Sequence, residues 1–266
     1  MNGPDNLLTL YPGGEAQYSF KMYAACDQPI CCSLADPRVI ECVFSKANPA
    51  DPFDPAWHLG IRLGPLNSAK EIEEIGNAIK DDIFDKLSLA FNIRVDQIRM
   101  TGHSLMPIPN GGGIALGILP MPTLNMVARA GGRPLLADDI GNLQDSLSKS
   151  FPLPNSALVA LYRSALSTDD PVAKFLILYL ILYEVAGNDS QKAVDNLILK
   201  YAPLTPTDQT PRLDKTGQRK PTFETIYTRL RNEITHRIAA KPEENREVII
   251  SNLDAFQTIV HQVLRS

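Results

Sequence analysis

The chain has few cysteines, a single tryptophan, no long apolar run and no excess of positive charge, and each shortage closes a class of function. All four cysteines, Cys26, Cys31, Cys32 and Cys42, lie within 17 residues. They show no paired C-x-x-C spacing, and adjacent cysteines rarely share a tetrahedral ion, so no metal site is expected. Met1 to Leu10 lacks a basic start and a long apolar stretch, which reads as no signal peptide and a reduced, cytoplasmic location. The most apolar run, Phe175 to Tyr183, sits between Lys174 and Glu184. It is far shorter than the roughly 20 apolar residues of a membrane span and reads as a buried bundle helix. A net charge of -4 argues against whole-protein avidity for nucleic acid, so any RNA contact must come from a local patch. Gly111 to Gly113 lack a following Gly-Lys-Ser/Thr and form no P-loop, while Ser104 and Ser156 lack a G-x-S-x-G elbow. His58 and His103 have no acid or nucleophile at a recognisable spacing and read as surface or satisfied-core residues, and His261 on the last helix reads as solvated.

What is present suits a soluble two-domain chain: 266 residues, 44% hydrophobic and 21% charged. Short β-prone runs at Tyr18 to Tyr23, Val39 to Phe44 and His58 to Leu63 are separated by Asp-Pro and Asn-Pro turns. From Ser68 to Asn92 the pattern turns helical, with Ile72, Ile75, Ile79, Ile83, Leu87 and Phe91 at spacings of three and four. Ser68 is the expected N-cap, with Glu71 three residues on. Further strands are expected at Val95 to Met100 and Ile114 to Leu119, joined by the Pro107 to Gly113 turn. The fold class is therefore α+β: an N-terminal α+β domain over residues 1–133, followed by an all-α bundle over 134–266. Helices are expected at 136–149, 155–167, 170–187, 189–200, 222–240 and 243–265. Pro203 to Pro221 reads as a long exposed loop.

Chemistry concentrates in Arg231-Asn232-Glu233-Ile234-Thr235-His236. At 100° per residue, Leu230, Phe223, Ile234, Tyr227 and Ile238 fall in one apolar arc of about 80°. Arg231, Thr235, Thr228, Asn232, His236 and Arg229 span the next roughly 160°, which faces the polar residues away from their own core. RNA supplies its own nucleophile in the 2'-hydroxyl. A cleaving site then needs a group that titrates near neutrality, a cation for the developing phosphorane charge, and a means of positioning. His236 and Arg231 meet the first two needs, and Asn232 would orient the imidazole or the phosphate. Between Arg212 and Lys241 stand eight basic residues, among them Lys220, Arg229 and Arg237, against Asp214, Glu224 and Glu233. The patch reads equally as a solvated surface and as an RNA-binding face.

Arg231-Asn232-x-x-x-His236 resembles the R-x(4-6)-H signature of the HEPN superfamily, with its polar residue directly after the arginine. The order of elements, from a buried helix ending Leu182-Tyr183-Glu184 through an insertion to Thr222–His236 and a closing helix, is similar to ApeA-like HEPN domains over about residues 150–266. More loosely, the whole chain looks like bacterial proteins labelled MauJ-like for methylamine utilisation. The resemblance implies a homodimer whose motif helices meet across a two-fold axis, with Arg231, Asn232 and His236 catalytic. It also implies metal-independent endoribonuclease activity without cofactor, as in toxin and antiviral HEPN proteins. Arg229, Arg237 and Lys220 would bind substrate. Glu184, as a partner for a motif-helix arginine, and Tyr227, from the apolar stripe, would support the site. The N-terminal domain would sense a ligand or regulatory partner. The competing expectation is a non-catalytic HEPN-like module that binds nucleotides or assembles proteins.

Overall fold

The computed structural model describes residues 11–25, 29–50, 54–106, 133–134, 137–148, 155–187, 190–213, 218–236 and 242–266. Cys26, the Pro107 to Gly113 turn, the strand expected at Ile114 to Leu119, Arg237, Ile238 and Lys241 lie outside them. The chain divides into two compact units, Met1–Leu153 and Pro154–Ser266.

In the first unit a five-stranded sheet forms around the β-prone runs read in the sequence. Its strands are β1 (Gly14–Met22), β3 (Ile30–Cys32), β4 (Val39–Lys46), β5 (Ala56–Leu63) and β6 (Val95–Leu105), in the order β3-β4-β5-β1-β6 with every pairing antiparallel. A small parallel pair joins β2 (Ala24–Ala25) to β7 (Arg133–Pro134). Ala16, Tyr18, Phe20 and Met22 of β1 and Trp57, Leu59, Ile61 and Leu63 of β5 point to one face and are buried. Burying each large apolar side chain contributes about 1.5–3 kcal/mol, which fixes the register, since a one-residue slip would turn all of them outward.

Helix α1 (Ala69–Phe91) covers that face with Ile72, Ile79, Ile83, Phe84 and Leu87. Ser68 caps it by accepting from the Glu71 amide at 3.4 Å, as the sequence predicts. Glu71 in turn accepts from the Asn67 amide at 2.9 Å. Helix α2 (Ala137–Ser148) adds Leu143 and Leu147 to the same core, and Gln144 Nε2 donates to the Cys31 carbonyl at 2.8 Å. Cys32 and Cys42 face each other in the β3–β4 register, and burial pushes the Cys32 thiol up to about 12. His103 Nδ1 lies 3.7 Å from Glu73 of α1, a partner that the sequence spacing does not reveal.

The second unit contains α3 (Ser156–Ser167), α4 (Pro171–Val185), α5 (Gln191–Tyr201), α6 (Ile226–His236) and α7 (Pro242–Leu264). The unit is mostly helical but not all-α. The loop expected at 203–221 instead contains a hairpin, β8 (Thr207–Leu213) paired with β9 (Arg219–Thr225). The motif helix correspondingly begins at Ile226, four residues later than its expected start. Phe223, placed by the sequence in the apolar stripe, lies on β9 and is 68% exposed. Helix α4 packs against α3, α5, α6 and α7 and buries Phe175, Leu178, Tyr179, Ile181 and Leu182, while Leu180 and Val185 are exposed. Asp170 caps α4 through the Val172 and Ala173 amides and accepts from Arg246 of α7 at 2.8 Å. The Arg246 hydrogen bond holds the Asp170 carboxyl below its usual range, so its contribution to stability is present above the ordinary carboxylate pKa and is lost as pH falls through the lowered value. Among the described residues no helix is long and apolar enough to cross a membrane.

Gly76 marks the closest approach of α1 to the sheet. A Cβ there would stand 2.7 Å from Tyr18 Oη and 2.9 Å from Ala16 Cβ. Alanine gains about 1 kcal/mol of helix propensity, whereas overpacking costs about 1–3 kcal/mol, and Ala16 Cβ is anchored to the strand backbone. Gly76→Ala should therefore lower stability to urea by about 1 kcal/mol, and a gain in stability would show that α1 moves off the sheet freely.

Candidate functional site

Towards α5, helix α6 is held by a polar seam, while Tyr227 and Leu230 bury its apolar side. On α5, Gln191 and Asp195 are four residues apart and share a face; on α6, Thr228 and Asn232 do the same. Asp195, 6% exposed, accepts through Oδ1 from the Thr225 amide at 3.0 Å, Thr225 Oγ1 at 2.7 Å and Thr228 Oγ1 at 2.7 Å. Because Thr228 gives its proton to the carboxylate, Tyr179 of α4 is the donor across the 3.1 Å contact with Thr228 Oγ1. Burial pushes the Tyr179 hydroxyl above the usual tyrosine range, which keeps it protonated as a donor. Thr225 Oγ1 also accepts from the Thr228 amide at 3.3 Å, the geometry of a cap on the first turn of α6.

Asn232 continues the seam one turn on. Its Oδ1 accepts from Gln191 Nε2 at 2.6 Å and from Arg231 at 3.2 Å; its Nδ2 donates to Gln191 Oε1 at 3.3 Å and to Glu224 Oε2 at 3.1 Å. Two donors and two acceptor positions exhaust a carboxamide. Asn232 thus holds Arg231 in place, and its amide has no capacity left for an imidazole or a phosphate. Thr228 and Asn232 accordingly do not face away from the bundle, as the helical wheel implies. Helix α5 presents complementary polar groups, so Thr228 is buried and Asn232 half-buried, each with partners.

The half-buried Arg231 guanidinium lies 5.9 Å from the centre of the Tyr179 ring and gives one of its five N–H groups to Asn232. His236 is the last residue of α6, one turn beyond Asn232. Its side chain, like that of Lys220 on β9, lies outside the described residues.

The motif helix also falls inside a family similarity: residues 158–263 match the family model described as methylamine utilization protein MauJ. The C-terminal region is MauJ-like. No curated protein and no solved structure matches the chain.

Within this MauJ-like region the remaining sequence candidates are dispersed. Arg229 is engaged by Asp208 of β8 at 2.5 Å and lies 3.8 Å from Glu233, so one cation of the basic patch is already neutralised within the fold. Tyr227 is buried and stacks on Phe256 of α7 with ring centres 4.3 Å apart, which makes it a core residue. Glu184 is exposed at the end of α4, and a buried carboxylate, Glu224 on β9, accepts from Asn232 Nδ2. Sequence reading missed Gln191, Asp195, Glu224, Thr225 and Tyr179. The i, i+4 pairing of Gln191 with Asp195 on one side of a bundle helix is the signal that would have found the first two. Among the described residues no group of acidic, histidine or cysteine side chains is arranged to hold a metal ion.

Replacing Asp195 by alanine strands three buried donors, each costing about 1–3 kcal/mol. Asp195→Ala should destabilise the second unit by about 3 kcal/mol or more in chemical denaturation, and Asp195→Asn, which keeps an acceptor oxygen, by less. Stability of Asp195→Ala within about 0.5 kcal/mol of wild type would show that the seam does not hold α6.

Proposed function

We propose that the chain is a metal-independent endoribonuclease of HEPN type, a toxin or antiviral effector, in which two copies of α6 bring Arg231 and His236 to a shared cleft. The observation that carries this reading is the state of Arg231: a half-buried guanidinium, fixed by the Asn232 carboxamide and the Tyr179 ring, with four N–H groups uncommitted among the described residues. A cation positioned before substrate arrives stabilises phosphorane charge without reorganisation at the moment of reaction. His236, at the end of the same helix, supplies the titratable group; an imidazole changes charge near neutrality. The 2'-hydroxyl attacks the adjacent phosphorus, the 5'-oxygen leaves with a proton, and the products are a 2',3'-cyclic phosphate and a 5'-hydroxyl. Arg237 and Lys220 remain the proposed contacts to the RNA backbone, with Arg229 a weaker one because Asp208 competes for it. Leu180 and Val185, exposed on α4, offer apolar surface for a second copy. The N-terminal unit is the regulatory or ligand-sensing part of this scheme.

The engagement of Arg229 and Asn232 inside the fold favours a second reading, a non-catalytic assembly or nucleotide-binding module in which these side chains serve only structure. Incubating purified protein with transfer, messenger and ribosomal RNA in EDTA separates the two. Cleavage by wild type, reduced about 100-fold or more by Arg231→Ala and by His236→Ala while mass and thermal stability are retained, is expected. Equal cleavage by all three proteins, or none by any, supports the second reading and overturns the first.

A further inference from the structure

A cleft of about 450 Å³ opens in the first unit between the Leu34–Arg38 turn, α1 and Leu147 of α2. Its apolar lining comes from Leu34, Pro37, Ile79 and Leu147. Its polar lining is two ion pairs: Arg38 with Asp36 at 2.6 Å, and Lys86 with Asp82 at 2.7 Å. The volume lies within the roughly 300–1,000 Å³ of small-molecule pockets, and a mostly apolar wall with a few polar groups is the usual composition of such sites.

Lys86 is the feature that simple surface chemistry does not explain. Its side chain is 8% exposed, and burying an ammonium is costly unless its donors are matched. Among the described residues Asp82 is its one partner, which leaves two of three N–H groups unmatched at a wall of the cleft. Arg38 uses Nε and one terminal nitrogen on Asp36, and among the described residues its other terminal nitrogen is uncommitted. Asp82, half-exposed, accepts from Lys86 through Oδ2, and its Oδ1 is uncommitted among the described residues.

We propose that this cleft binds a small zwitterion with an apolar body, of the α-amino-acid type. Its carboxylate is received by the Lys86 ammonium and the Arg38 guanidinium, its ammonium by Asp82, and its side chain by Ile79, Leu34 and Leu147. The four charged groups of the lining sum to zero, so a ligand of zero net charge leaves no charge uncompensated in the cleft, whereas a simple anion or cation would. Recognition through both charges also discriminates strongly, because a ligand lacking one of them leaves its counterpart unpaired.

The test uses the full chain and three probes, L-leucine, L-phenylalanine and L-tryptophan, each compared with the amine formed by removing its carboxylate and the acid formed by removing its ammonium. Isothermal titration and thermal melting should show saturable binding and a raised Tm for at least one amino acid in the millimolar range, with neither of its half-charged relatives binding comparably. Lys86→Met, which keeps the length of the side chain and removes the ammonium, should weaken that binding about tenfold or more. Ala78→Trp fills the cleft from an exposed position on α1 and should abolish binding even if Lys86→Met disturbs the fold. Absence of saturable binding by all three amino acids, equal binding of a half-charged relative, or binding that survives Ala78→Trp would overturn the proposal.

Discussion

The second unit depends on one buried carboxylate. Asp195 takes three hydrogen bonds on a single oxygen, two from Thr225 at the head of α6 and one from Thr228 in its first turn, and so fixes where that helix starts and how it is rotated. An apolar interface tolerates small slides and rotations because dispersion contacts have no direction. A seam of carboxylate, hydroxyls and carboxamides is satisfied in one register only, and leaving any member unmatched costs about 1–3 kcal/mol. Everything that α6 displays inherits this constraint.

Arg231 inherits it most directly. The seam locks Thr228 and Asn232 against α5, Asn232 holds the adjacent guanidinium, and the Tyr179 ring closes beneath it. The same contacts alter the roles suggested by residue type alone. Asn232 becomes a lock for the helix and for Arg231, and Glu224 of β9 accepts from its amide. Pairing of Arg229 with Asp208 thins the basic patch and leaves the burden of charge on fewer residues. The first unit shows the contrasting economy: apolar alternation sets its register, and two ion pairs line a cleft beside its core.

What was legible in the sequence follows from which forces leave a one-dimensional trace. Alternation at Tyr18, Phe20 and Met22, the three-and-four spacing from Ile72 to Leu87, and the Ser68 cap each encode a local geometry, and each element appears where expected. The hairpin left a misleading trace. Pro211 and Pro221 suggest a loop, yet they are register partners, and two prolines can face each other at a non-hydrogen-bonded position where the missing N–H would point out of the ladder. The Thr225 amide, also a ladder residue two pairs of the same parity away, points outward likewise and finds Asp195. The polar seam was invisible to a helical wheel, which equates polar with outward. Only the complementary face of α5, distant in sequence, turns Thr228 and Asn232 inward.

The central claim is that a prefixed guanidinium on α6 and the imidazole at its end act on RNA through the 2'-hydroxyl. Mapping the termini of RNA treated with the purified chain in EDTA addresses it most directly. Fragments ending in a 2',3'-cyclic phosphate, with 5'-hydroxyls on the downstream pieces, are the expected products. Fragments with 3'-hydroxyl ends that form only when a divalent ion is supplied, or RNA that stays intact, would contradict it.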